Sequence, residues 1–243
     1  MSAPVRRRAV RRYVPPQHGA WAMLLLPFLA GVLVAGPRWV HLPLLIAWLG
    51  GYLWSYYALL AVKTGRPGRV RDQLLLYGAV TAAAGLAVVA ARPGVVVFAP
   101  VYAALLAVNV GYARRRRERS LINDLASVAQ SCVMVFVVAF CAGAPPASVW
   151  PAFVAVLLYF VGTVLHVKTM IRERGSVAYR RASVAYHALA LAVAAWLGPA
   201  FAVVFGLLLV RAIVSPRLSL TPKRVGITEI VASVLVLAAA ATG

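Results

Sequence analysis

The sequence predicts an all-α fold, a polytopic transmembrane helical bundle of about nine spans with its N-terminus in the cytoplasm. Hydrophobic residues make up 63% of the chain and charged residues only 12%, whereas soluble domains are about a quarter charged. The apolar residues form runs of about 17–25 residues, the length that a helix needs to cross a hydrocarbon core. The Lys and Arg residues lie in short clusters between these runs.

The strong positive charge is the one feature that favours a different class of protein. A formal net charge of +20 and a pI near 11.4 are typical of proteins that bind nucleic acid through its phosphates. Here the basic clusters mark the ends of apolar runs, so they indicate membrane topology instead. We therefore expect a lipid bilayer as partner and no nucleic acid.

Glycine and proline separate most of the predicted spans, because neither residue continues a helix well. The basic tail 1–17 is expected to be cytoplasmic, and residues 18–243 are expected to form a single transmembrane domain. The seventh and eighth spans are short and poorly separated. In order, the predicted spans are 18–36, 40–62, 73–91, 95–113, 121–141, 149–171, 182–197, 198–214 and 226–241.

The orientation follows from the basic residues, since short cytoplasmic loops are enriched in Lys and Arg. All of them except Arg38 and Arg92 fall in the tail and in alternate loops. An odd number of spans with the N-terminus inside fits this pattern. The predicted location is the cell membrane, as a multi-pass protein of a bacterial inner or plasma membrane.

Polar residues at helical spacing mark the fifth and sixth spans. Ser120, Asn123, Asp124 and Ser127 form a stripe at the start of the fifth span, which must face protein or water because unsatisfied polar groups are costly in lipid. The stripe has two interpretations: hydrogen bonding between helices, or a functional site around an intramembrane carboxylate. The sixth span shows one polar face by the same spacing, with Tyr159, Thr163, His166, Met170 and Glu173.

Three segments together resemble the YwiC-like family of bacterial membrane proteins. They are PQHGAW at 16–21, RSLIND at 119–124, and the region 162–174 with its Gly162-Thr163, HVKT and IRER elements. The resemblance spans most of the chain. It implies a membrane protein and supplies no activity.

A more distant resemblance is to the UbiA-type intramembrane prenyltransferases, which implies nine helices around a cytoplasmic-side cavity. In that family two Asp-rich motifs hold magnesium ions that grip a prenyl diphosphate. At the matching places this sequence has 55–67 and 166–173, neither with paired aspartates. The resemblance therefore implies the architecture, Glu173 as one transferable ligand, and an anionic ligand held directly by basic side chains. Whether the protein is an enzyme stays open.

The resulting hypothesis is a cytoplasmic-facing polar cavity that binds or transforms an amphipathic anionic molecule, such as an isoprenoid or lipid phosphate. His166 is the expected general acid or base, and Lys168 and Arg172 form the phosphate clamp. No metal-ligand spacing is present, and the sequence identifies no cofactor. The predicted catalytic residues are His166, Glu173 and Asp124, and the predicted ligand-binding residues are His18, Lys63, Arg66, Asn123, Lys168, Arg172 and His187.

Two alternatives belong to other functional classes. A proton-coupled transporter would use Asp124, His166 and Glu173 as a relay, although no inverted repeat is evident. A non-enzymatic membrane assembly or accessory protein would need the polar stripes only to hold helices together.

Overall fold

The structure, a computed structural model, describes residues 13–15, 18–218 and 220–242, and helices with short connecting segments make up this part of the chain. The all-α prediction is confirmed, with no strand in these residues. Most of the predicted basic tail lies outside them. The helices are α1 (His18–Ala35), α2 (His41–Thr64), α3 (Arg71–Ala91), α4 (Ala99–Arg114), α5 (Leu121–Cys132), α6 (Met134–Ala142), α7 (Pro146–Val167), α8 (Val177–Leu197), α9 (Pro199–Val214) and α10 (Pro222–Thr242).

Only Val133 separates α5 from α6. When these two are counted as one helix, the described residues contain the nine helices that the sequence predicts. Seven stretches are long and apolar enough to cross a membrane: His41–Thr64, Pro67–Ala91, Pro93–Arg114, Leu121–Ala142, Pro146–Arg172, Pro199–Arg217 and Pro222–Thr242. Of the other two helices, α1 is apolar but shorter, and α8 carries Arg180 and Arg181 in its first turns. The chain is a multi-pass membrane protein, and its orientation stays a prediction.

Large apolar side chains lie exposed along the predicted spans. Leu75 and Leu86 on α3 are 61% and 70% exposed, and Val97, just before α4, is 64% exposed. Soluble monomers rarely expose contiguous apolar faces of this kind. These faces are therefore suited to contact lipid.

The chain forms two compact units. Unit 1 comprises residues 1–24 and 38–127, and in it α2 packs on α3 and α4. Gly50 allows the close approach of α3, because a Cβ at this position would lie 2.7 Å from Thr81 Oγ1. Tyr57 and Tyr77 stack with ring centroids 5.9 Å apart.

Unit 2 comprises residues 25–37 and 128–243 and contains the better-buried helices. In it α7 packs on α6, α8 and α10, and α9 packs on α8 and α10. Val135, Ala139 and Val149 form a fully buried apolar cluster. The prediction of one domain over 18–243 stays a prediction.

Two boundaries in unit 2 differ from the sequence prediction. The α-helix of the sixth span ends at Val167, and a π-helical turn, Lys168–Arg172, follows it. The Glu173 N–H donates to the Lys168 carbonyl at 2.8 Å, a five-residue spacing that ends the α-helical periodicity. The α-helical spacing that predicts Glu173 on the same face as His166 therefore does not apply beyond Val167.

The helix at the predicted seventh span is α8. It begins at Val177 instead of residue 182, because Ser176 caps it. The Ser176 hydroxyl accepts a hydrogen bond from the Tyr179 N–H at 3.3 Å, the usual role of an N-cap serine. The basic segment expected to separate the sixth and seventh spans is thus partly helical. Arg180 projects from the first turn of α8.

Candidate functional site

In unit 1, two predicted ligand-binding residues, Lys63 and Asn123, meet at Glu118, which is not among the predicted site residues. The Lys63 Nζ lies 2.7 Å from Glu118 Oε1, and the Asn123 side-chain amide donates to the Glu118 carbonyl at 2.8 Å. The hydrogen bond from Lys63 holds the pKa of the Glu118 carboxyl below its ordinary value of 4.5. Lys63 is thus already paired within unit 1.

The polar stripe of the fifth span has a contact with another helix. The Asn109 amide on α4 donates to Ser127 Oγ at 2.9 Å, which supports the interhelical interpretation for Ser127. Asp124 is half-buried near the start of α5, and its backbone N–H donates to the Ser120 carbonyl at 3.1 Å.

Two further predicted ligand-binding residues lie at element ends of unit 1. Arg66 is exposed and precedes the short 3₁₀ helix Pro67–Val70. His18 is the first residue of α1, and its side chain lies outside what the structure describes.

In unit 2, the predicted residues His166 and His187 come together. His166 on α7 and His187 on α8 are 1% and 2% exposed, with ring centroids 6.4 Å apart at an interplanar angle of 77°. Gly162 makes room for this arrangement, because a Cβ there would lie 3.0 Å from His187 Nε2. The Gly162-Thr163 element of the sequence thus has a packing reason.

Beside the histidines lies an ion pair that sequence reasoning missed. Arg211 on α9 binds Glu229 on α10 through Nη1 and Oε1, and the two side chains are 11% and 13% exposed. Thr163 Oγ1 donates to Glu229 Oε2 at 2.8 Å, and the Tyr159 hydroxyl lies 2.9 Å from both the Glu229 carbonyl and Ser233 Oγ. Four helices therefore converge on one buried polar group.

We call this group the interior cluster: Tyr159, Thr163, His166, Ser183, His187, Arg211, Glu229 and Ser233. Several of its buried atoms have no hydrogen-bond partner within the described chain: Arg211 Nε and Nη2, His166 Nδ1, His187 Nε2 and Ser183 Oγ. Each such group in a native protein calls for an explanation, since an unsatisfied buried donor or acceptor is destabilising.

The predicted phosphate clamp lies around the π-helical turn. Lys168 is only 7% exposed, whereas Arg172 is exposed and Glu173 is half-buried. Beside this turn is a cavity of about 60 Å³, which we call the basic cavity. Its lining residues are Thr169, Met170, Arg174, Gly175, Ser176, Arg180, Pro216 and Leu218.

The basic cavity suits an anion better than the predicted clamp does. Its two charged residues, Arg174 and Arg180, are both basic, and the N-terminus of α8 adds the positive end of a helix dipole. Its volume is several times the roughly 10–15 Å³ that a single water requires. Neither Lys168 nor Arg172 is among its lining residues.

The missed residues left weak signals in the sequence. Arg174 and Arg180 stand in a basic segment that topology alone explains. Glu229 is only the fourth residue of the predicted span 226–241, near its end, yet it is the eighth residue of α10. A carboxylate and an arginine on two adjacent apolar helices are the combination that would have identified the pair.

The comparisons with known proteins agree on one family. A family model described as YwiC-like protein matches residues 14–139. An uncharacterized protein of Bacillus subtilis (strain 168), YwiC, is 34% identical over 181 residues, which cover 74% of this chain and 76% of that protein. An uncharacterized protein of Haemophilus influenzae (strain ATCC 51907 / DSM 11121 / KW20 / Rd) is 32% identical over 223 residues, which cover 88% of this chain and 90% of that protein.

No solved structure matches the chain. The more distant resemblance to UbiA-type prenyltransferases gains no support from these comparisons.

Proposed function

This chain belongs to the YwiC-like family, and we propose that it binds the anionic head of an amphipathic molecule at the basic cavity of unit 2. The observation that carries the proposal is the pairing of Arg174 and Arg180 around one cavity at the N-terminus of α8. The ligand class is an isoprenoid or lipid phosphate, whose tail would lie in the bilayer.

Charge and location both support this ligand. An oxyanion gains charge-assisted hydrogen bonds from arginine and a favourable interaction with a helix N-terminus. Arg174 and Arg180 are exposed, so a headgroup reaches them without prior opening of the bundle. Pro216 and Leu218 add an apolar wall. The catalytic roles expected for His166, Glu173 and Asp124 stay predictions.

The test measures binding of a short-chain phosphatidic acid to the purified protein in a neutral detergent. Phosphatidylcholine with the same tails is the zwitterionic comparison. Each arginine near an anionic headgroup contributes about 1 kcal/mol, so Arg174→Gln/Arg180→Gln should weaken phosphatidic acid binding by about 30-fold. Lipid that co-purifies with the protein, identified by mass spectrometry, should carry a phosphate head.

The matched control is Arg114→Gln/Arg115→Gln, which removes two exposed arginines at the C-terminal end of α4 in unit 1. It should leave the affinity nearly unchanged. An equal loss of affinity in both double variants would show that general electrostatic attraction, and not the basic cavity, accounts for the binding. Unchanged affinity in the variant of the basic cavity would overturn the proposal.

A further inference from the structure

The interior cluster offers a second binding site whose chemistry differs from that of the basic cavity. It lies on α7, α8, α9 and α10 of unit 2, a short distance along the chain from the basic cavity. His166 precedes Thr169 by three residues, and Ser183 follows Arg180 by three, which is about one helical turn.

Arg211 presents the clearest recognition element of this cluster. Glu229 occupies Nη1, while Nε and Nη2 are buried without a partner in the described chain. These two N–H groups form the side-on fork of the guanidinium, whose spacing matches the two oxygens of a carboxylate. Glu229, which binds Arg211, also accepts from Thr163 on α7, and Thr163 is next in the chain to Gly162, against which His187 Nε2 packs. Arg211 and His187 thus belong to one cluster.

The hydrogen bond of His187 fixes which of its ring nitrogens carries the proton. Nδ1 lies 2.7 Å from the Ser183 carbonyl oxygen, which only accepts, so Nδ1 is the protonated nitrogen of the neutral ring. Nε2 is therefore a buried acceptor without a partner in the described residues. A ligand that satisfies this cluster must supply acceptors to Arg211 and a proton to His187.

We propose that the interior cluster binds a carboxylic acid together with its proton. The O–H bond of the acid breaks and an N–H bond forms on His187 Nε2, so no electron is gained or lost. The carboxylate oxygens then accept from Arg211 Nε and Nη2. His166 Nδ1 and Ser183 Oγ are the other atoms of the cluster without a partner in the described chain.

Charge balance explains why the proton accompanies the ligand. Arg211 and Glu229 already neutralise each other, so a carboxylate alone would add an uncompensated charge to a buried place, which is strongly unfavourable. With the proton on His187 the added charges cancel. The titratable and charged groups around this ring are His166 and Tyr159 on α7, Tyr186 on α8 with Cys132 beside it, Arg211 on α9 and Glu229 on α10.

The test is calorimetric titration of the purified full chain in neutral detergent with sodium octanoate, in two buffers of different ionisation enthalpy at neutral pH. The difference between buffers reports the protons taken up. We expect saturable binding with uptake of about one proton per octanoate. Octyl sulfate, which also has eight carbons but whose head is not protonated near neutral pH, should bind at least about tenfold more weakly.

Two substitutions separate the roles within the cluster. Arg211→Lys keeps the charge but loses the fork and should weaken octanoate binding at least about tenfold. His187→Asn should abolish the proton uptake even if some octanoate binding persists, which keeps the proposal testable if the arginine variant does not fold. Arg114→Gln, which removes an exposed arginine of unit 1, should change neither quantity.

Three outcomes would overturn the inference. The first is the absence of saturable octanoate binding, and the second is binding without proton uptake. The third is binding that both substitutions leave unchanged, as simple partition of the alkyl chain into the micelle would be. The inference does not rest on the phosphate site, so loss of phosphatidic acid binding in the basic-cavity variant neither supports nor removes it.

Discussion

At the scale of single residues, burial and partnership decide which polar side chains are available to a ligand. Lys63 was expected to hold an anion, but it is paired with Glu118. His166 and His187 were expected at a site and are both buried, with one ring nitrogen each unpartnered in the described chain. The same residue types thus have different roles because their immediate neighbours differ.

Glu118 provides a prediction about pH. Its pKa is lowered in the folded protein, so its contribution to the free energy of unfolding is present above the ordinary carboxyl pKa and is lost as pH falls through the lowered value. Because the pair with Lys63 is partly exposed, we expect Glu118→Gln to cost no more than about 1 kcal/mol at neutral pH. The melting temperature of the two proteins, followed from neutral pH to below pH 4.5, measures this.

The difference between wild type and Glu118→Gln should shrink as the pH falls. A control is Glu173→Gln, another half-buried carboxylate, at the π-helical turn. A gap in melting temperature that widens on acidification would show that the pair with Lys63 does not stabilise the fold.

At the scale of elements, the contact between α7 and α8 depends on a glycine, which has no side chain. Gly162 leaves room for His187, which a Cβ would meet at 3.0 Å. Residue spacing places Gly162 and His166 on neighbouring parts of one helix face. The element therefore positions the two imidazoles of the interior cluster.

Gly162→Ala should destabilise the protein by about 1 kcal/mol, since the overpacking penalty exceeds the gain in helix propensity. The control is Gly206→Ala in α9, where a Cβ meets nothing within 4 Å; it should be neutral or slightly stabilising. Denaturant unfolding in mixed micelles compares the two. If both glycines tolerate alanine equally, the close approach of His187 is not a constraint.

At the scale of the whole molecule, the distribution of basic residues predicts how the chain crosses the bilayer. The segments around Arg66, Arg117 and Arg217 should face the cytoplasm, whereas Arg38 and Arg92 should face the other side. Cysteines placed singly at these five positions should react with a membrane-impermeant thiol reagent from the corresponding side only. Background labelling should be low because Cys132 and Cys141 are fully buried.

Labelling of positions 66 and 117 from opposite sides would refute the topology. It would also remove the basis for placing an anionic headgroup at the cytoplasmic face, because the basic loops would no longer share one surface. Labelling of all five positions from one side would be equally incompatible with the predicted alternation of loops.

The sequence by itself determined the class of fold and nearly all of the helices. Hydrophobic length and the Gly and Pro breaks are local properties of the chain, so they predict helices without knowledge of their neighbours. The motifs at 16–21 and 119–124 likewise identified the family that the comparisons confirm. His166 and His187 lie together in unit 2, and their role in a site stays a prediction.

Only the tertiary structure decided which polar residues of separate helices meet. The Arg211–Glu229 pair joins α9 to α10. The basic cavity forms where the π-helical turn lies beside the N-terminus of α8 and Pro216. Helical periodicity assigns a residue to a face of its own helix, but the rotation and depth of neighbouring helices depend on packing across the bundle. That packing creates the interior cluster, where unpartnered nitrogens lie beside a neutralised ion pair.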